Sequence, residues 1–241
     1  MKQYKVCYEL KNTAKDNLDG KYRSAVLICL LSALISSVVL EIVEGFVPNT
    51  GSLATTYLIG GTASLVVTWV LGVLDLGIAL FFLNAACGKP YKVNDLFYGF
   101  HGDTSKILTI SAARALVSCI SMLPAQYLLS AALYYPSPTL FIWIAITAIV
   151  GLCIHLTAGL GVMLSYYAML DFPDKSAREI LKMSFQLVKG RRKKLFLLQL
   201  SFLPLDFLCI CSFFVGYLWL IPYKNMTYTC FFLDIMNPKE T

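Results

Sequence analysis

Four ionisable residues stand near the middle of long apolar runs of this chain: Asp75, His155, Asp206 and Lys224. A charged side chain in hydrocarbon is costly, and such residues face a protein interior, a partner or a watery path. Counted at about 1.5 Å per residue along a helix, all four fall near mid-membrane. Asp206 and Lys224 lie on consecutive runs, so a hairpin would bring them together. The chemistry open to them is binding: an ion, a proton or a small polar solute, held between helices. The same residues also suit a structural use, an ion pair that locks the hairpin, with Asp75 and His155 bonded to nearby backbone. Pro204 and Pro222 fit both uses. Each removes a helix hydrogen bond and frees a carbonyl, Leu200 or Leu218, to meet a cation or the Lys224 ammonium. Interrupted helices around a midplane charge are a transporter-like arrangement.

A second group is the basic cluster Lys189, Arg191, Arg192, Lys193 and Lys194. Near a membrane surface it could hold anionic lipid headgroups or a protein partner, at about 1 kcal/mol per base. The plainer use, and the one favoured, is to fix topology. Arg114, inside another apolar run, is expected to snorkel to the headgroups, with Asp95 or Asp103 near it.

Hydrolytic and covalent chemistry finds no foothold. The sequence has no GxSxG, no HExxH and no phosphate-cradling glycine loop. His101 and His155 are the only histidines, and His101 reads as a solvated loop residue. The eight cysteines, at 7, 29, 87, 119, 153, 209, 211 and 230, lack CxxC or Cys/His spacing. They read as small buried apolar residues, with no disulfide, metal or cofactor. The expectation is a protein that is not an enzyme.

The elements that must position these residues follow from composition. The chain has 241 residues, 58% hydrophobic and 14% charged, with a mean hydropathy of +0.69. Soluble domains carry about 25% charged residues. Several runs reach the roughly 20 residues that span a hydrocarbon core, continuously rather than in alternation. The fold class expected is all-α: one polytopic membrane helix bundle with spans of about 24–43, 62–83, 107–133, 139–170, 195–211 and 214–236. Gly60-Gly61 is expected to divide the second run, Pro124 to kink the third, and Gly159–Gly161 is one candidate break in the long fourth.

Short amphipathic helices are expected beside the membrane at 4–19, near 94–100, and from Ser176, where Ser176 to Glu179 reads as a capping box. Helix, glycine, polar patch and a span reaching a serine recur as Gly20 to Ser32, Gly190 to Ser201 and, more weakly, Gly102 to Ser111. The reading is three helix-plus-hairpin units. Bases flank the runs at Lys2 to Arg23, at Lys89, Lys92 and Lys106, and from Lys175 to Lys194; the proposed outer turns hold none. Both termini then lie in the cytoplasm. The net charge of +6 sits in these flanks, which argues against nucleic acid. No cleavable signal peptide is expected.

Three stretches carry a family resemblance: GIALFFLNAACGKPYKVNDLFYGF from Gly77, SYYAMLDFPDKSAREILKMSFQLVKGRRKKLFLLQLSF from Ser165, and GYLWLIPYKNMTYTCFF from Gly216. Together they resemble a group of bacterial integral membrane proteins, domain-of-unknown-function family nine-seven-five. The resemblance implies a multi-span protein of the bacterial cytoplasmic (inner) membrane and transfers no activity. The leading expectation is a small transporter-like module binding an ion or a small polar or lipid ligand at mid-membrane. The alternative is an accessory subunit or scaffold of an envelope complex, with a protein partner or as a homo-oligomer.

Overall fold

The computed structural model describes residues 2–3, 6–48, 51–237 and 239–240; the backbone alone is described at 2, 3, 53, 54, 58, 156, 157, 160, 239 and 240. The expected start of the first helix at residues 4–5, and Asn49-Thr50 of the first outer loop, lie outside the described residues.

The chain is helical nearly throughout. In order run α1 (Cys7–Leu18), α2 (Tyr22–Gly45), α3 (Leu53–Ala86), a 3-10 helix (Val93–Phe100), α4 (Thr104–Tyr134), α5 (Pro138–Asp171), α6 (Ala177–Val188), α7 (Arg192–Leu200), α8 (Leu203–Cys211) and α9 (Tyr217–Met236). Among the described residues, five helical stretches are long and apolar enough to cross a membrane: Tyr22–Gly45, Thr55–Ala86, Thr104–Tyr134, Pro138–His155 and Arg192–Cys211.

Three units repeat one plan, as the glycine spacing suggests. In each short helix an acid reaches back to the backbone N–H three residues before it. Glu9 accepts from Val6, Asp95 from Lys92 and Glu179 from Ser176, each at 2.9 Å. The next residue, Leu10, Leu96 or Ile180, is wholly buried. A glycine follows the helix, and then come the buried pairs Ala25 and Ile28, Ile107 and Ile110, Leu195 and Leu198.

The first and third copies match closely. Leu10, Ala14 and Leu18 correspond to Ile180, Ser184 and Val188, all buried along one helix face. Both helices end on a glycine with positive φ, 70° at Gly20 and 84° at Gly190. That conformation costs glycine nothing and reverses the chain into the next helix. The second copy is shortened to a 3-10 turn, and its Gly102 lacks the positive φ.

Each hairpin is closed by a lysine at its basic end. Lys21 donates to the Ala85 carbonyl at 2.7 Å, Lys106 to Pro173 at 2.9 Å, and Lys194 to the Asp234 carboxylate at 3.2 Å. The start of each outgoing helix therefore sits beside the end of its return helix. The two ends of the chain also meet, Lys2–Gln3 pairing antiparallel with Lys239–Glu240.

The core gathers around α9, which packs on α1, α2, α3, α5 and α8. Met226, Thr227, Thr229, Phe231 and Phe232 are buried around much of its circumference, the pattern of a central helix. By contrast α2 turns Leu27, Leu34, Val38 and Ile42 outward, as a helix facing lipid would.

Several expectations need correction. Gly60-Gly61 does not break the second run, and α3 continues unbroken for 34 residues. The fourth run is one helix of 34 residues, in keeping with the span expected at 139–170, and the candidate break at Gly159–Gly161 does not occur. Gly161 serves there as a docking point, where the Phe185 ring lies over it and the Ser184 hydroxyl donates to its carbonyl. The fifth run is broken, because α7 stops at Leu200 and α8 restarts with Pro204 in its first turn. Of the cysteines only Cys29, Cys209 and Cys230 are buried, and Cys87, Cys153 and Cys211 are exposed.

Candidate functional site

Asp75, Arg114 and His155 converge on one cavity between α3, α4, α5, α7 and α9. At about 1.5 Å per residue, Asp75 lies about 16 Å before the end of α3 and Arg114 about 15 Å beyond the start of α4. Asn225 lies about 16 Å before the end of α9. Each of these ends is the basic end of its hairpin, so the three groups lie at similar depths from it, and all three line the cavity.

The Arg114 guanidinium meets the Asp75 carboxylate at 2.6 Å. Both side chains stay partly open, and both line the cavity, whose volume is about 310 Å³. His155 and Tyr166 come from α5, Gln199 from α7 and Asn225 from α9. Ile78, Val117 and Met163 fill the apolar part of the wall. Two contacts set its shape: Gly72 lets Ser111 of α4 approach α3 beside the Tyr166 hydroxyl, and Tyr167 accepts from Thr229 at 3.0 Å while stacking on Phe232 at 5.4 Å.

Three buried polar atoms around the cavity have no hydrogen-bond partner: Nδ1 of His155, the hydroxyl of Tyr166 and Oε1 of Gln199. The Tyr166 hydroxyl has the Arg114 guanidinium as a hydrogen-bonding neighbour without reaching the geometry of a direct bond, and the Gln199 side chain, its Oε1 unpaired, lies beside the Tyr228 hydroxyl. A buried group left unpaired costs about 1–3 kcal/mol. Three around one cavity, beside an ion pair, make a surface with donors and acceptors to offer a small polar molecule. Among the described residues no group of three His, Cys, Asp or Glu side chains converges as a metal site.

The four expected site residues thus separate into two places. Asp75 and His155 share the cavity, whereas Asp206 and Lys224 form their own pair outside it, Nζ to the two carboxylate oxygens at 2.6 and 2.8 Å. Neighbours on a helix point about 100° apart, so α9 sends Asn225 to the cavity and Lys224 elsewhere. Lys224 takes the carboxylate and not the carbonyl of Leu218. At the helix break it is the Ser201 carbonyl that receives an ammonium, from Lys11 at 2.9 Å.

Arg114 is not a snorkelling residue, because Asp75 holds it within the bundle. Asp103 pairs instead with Lys106 at 3.1 Å. Tyr166, Gln199 and Asn225 escaped sequence reasoning; a tyrosine or amide flanked by apolar residues looks like ordinary core. The basic cluster also divides. Lys189, Arg192 and Lys193 are exposed, while Arg191 donates to the Leu187 carbonyl at 3.3 Å and Lys194 turns in to Asp234.

The chain matches the family model described as Protein of unknown function (DUF975) over residues 1–239. It belongs to that family. No curated protein and no solved structure matches it. The family's description names no reaction, so function has to be argued from the cavity.

Proposed function

We propose that this DUF975 protein is a non-enzymatic, transporter-like membrane module that binds a small polar solute between its helices. The observation that carries the reading is the cavity. It joins a partly open Asp75–Arg114 pair to buried polar atoms of His155, Tyr166 and Gln199, between apolar helices. A solute with both donor and acceptor groups would satisfy His155, Tyr166 and Gln199 together and lie against the ion pair.

The proposed setting is a bacterial cytoplasmic membrane crossed six times, with both termini in the cytoplasm. α9 supplies the sixth crossing: its 20 residues span about 30 Å, and its polar residues are tolerated because protein surrounds it. The pairing of Lys2–Gln3 with Lys239–Glu240 supports an even number of crossings, since the chain ends meet on one side. Reporters at the two termini should read the same side, and one in the turn at Pro136 the other.

The functional test is thermal unfolding of the detergent-purified protein against a panel of amino acids, short amines and short carboxylates. One solute class should raise the melting temperature of wild type and of Lys224→Met. It should fail to do so for Tyr166→Phe and Arg114→Gln. A panel without effect on wild type, or an effect that survives in Tyr166→Phe and Arg114→Gln, contradicts the reading.

A further inference from the structure

A groove separate from that cavity runs between α1, the start of α2, α8 and α9, with a volume of about 750 Å³. Its floor is apolar, with Leu205, Leu208, Trp219 and Leu220, and no carboxylate lines it. Trp219 is 56% exposed, so the floor opens outward where lipid would lie. Its mouth is basic, formed by Lys11 and Lys15 of α1 beside the Tyr22 phenol.

The charges at this mouth are poorly balanced. Lys11 is half-buried and lies 4.0 Å over the Phe202 ring, which Lys224 also approaches, at 5.7 Å. Lys15 faces the Tyr223 ring at 5.8 Å. The carboxylate at hand, Asp206, is already engaged by Lys224 at 2.6 Å. Burial pushes the pKa of Lys11 down, and the Lys15 and Lys224 ammonium groups add to that against an opposing pull from Cys7. Cations gathered without a matching anion repel one another, and a bound anion relieves the repulsion.

We propose that this groove holds an anionic phospholipid, its phosphate between Lys11 and Lys15 and one acyl chain along Leu205, Leu208 and Trp219. Two features select a lipid. The mouth asks for negative charge, and the floor asks for a long apolar body continuous with the bilayer. A free phosphate would use the lysines and leave the floor uncovered. The exposed bases Lys189, Arg192 and Lys193 are a different case, because the groove does not extend to them.

The test is native mass spectrometry of the delipidated full chain titrated with phosphatidylglycerol or phosphatidylcholine of matched chains. Wild type should bind one phosphatidylglycerol at least tenfold more tightly than phosphatidylcholine. Lys15→Glu, at an exposed position, should weaken phosphatidylglycerol about thirtyfold, the effect of two unit charges near a surface. Lys193→Glu, with the same change in net charge, should leave it unaltered, and Lys11→Arg/Lys15→Arg should retain it. Equal binding of the two lipids overturns the proposal, as does equal loss in Lys15→Glu and Lys193→Glu. Competition by millimolar inorganic phosphate also overturns it, in favour of a free-phosphate site.

Discussion

The Arg114 guanidinium meets the Asp75 carboxylate at 2.6 Å across the interface of α3 and α4, in the wall of a cavity that Asn225 of α9 also lines. The pair joins the first repeat unit to the second, so it is a support of the bundle as well as part of a cavity wall. Removing one partner leaves the other charge without its counter-ion.

Asp75→Asn and Arg114→Gln should each destabilise the bundle by about 2 kcal/mol, less than the 3–5 kcal/mol of a fully buried pair because both side chains stay partly open. The double variant should be less destabilised than the sum of the two. Unfolding in mixed detergents measures this, and strict additivity would mean that the two groups do not interact.

Lys224 and Asp206 should show the same coupling in stability and no coupling to the cavity. Lys224→Met and Asp206→Asn destabilise singly and compensate together, while solute-induced stabilisation persists in the double variant. Loss of solute response in the folded double variant would make this pair functional and not structural.

Gly72→Ala should destabilise by roughly 1–3 kcal/mol, the cost of overpacking. Its new Cβ would strike the Cβ of Ser111, which is buried and held by its bond to the Ile107 carbonyl at 2.9 Å. Gly45→Ala, with nothing within 4 Å, should be neutral or slightly stabilising. Melting temperatures of the two variants make the comparison.

The cap of α6 should respond to acid. The Ser176 backbone N–H, and then its hydroxyl, hold the Glu179 carboxyl below its ordinary value. Its contribution is therefore complete above the ordinary carboxylate pKa of about 4.3 and disappears as pH falls through the lowered folded value. Hydrogen exchange in the first turn of α6, corrected for intrinsic rate, should show protection lost over that range in wild type. Glu179→Ala should lack the protection at every pH.

How much of this was legible in sequence depended on whether the signal was local. The capping acid at Glu179 and the glycines at 20 and 190 announced their joints, because those geometries depend on a few neighbouring residues. Gly60-Gly61 misled, since two glycines weaken a helix without ending it, and α3 runs on through them. Pro204 signalled a freed carbonyl but not the extent of the break, which becomes a turn at Ser201-Phe202. Asp75 and Lys224 could be singled out as charges in apolar runs, yet their partners were legible only for the hairpin neighbours. Matching Arg114 to Asp75 needed the true ends of α3 and α4. Nothing local marked Tyr166 or Gln199, whose role comes from five helices meeting.

The central claim is that the Asp75–Arg114 cavity binds a small polar solute, and native mass spectrometry of gently extracted protein tests it most directly. Wild type should carry a reproducible small-molecule mass that is absent from Tyr166→Phe and Arg114→Gln and present in Lys224→Met. Wild type without such a mass, or the same mass on all four proteins, contradicts the account and leaves the ion pair with a structural role alone.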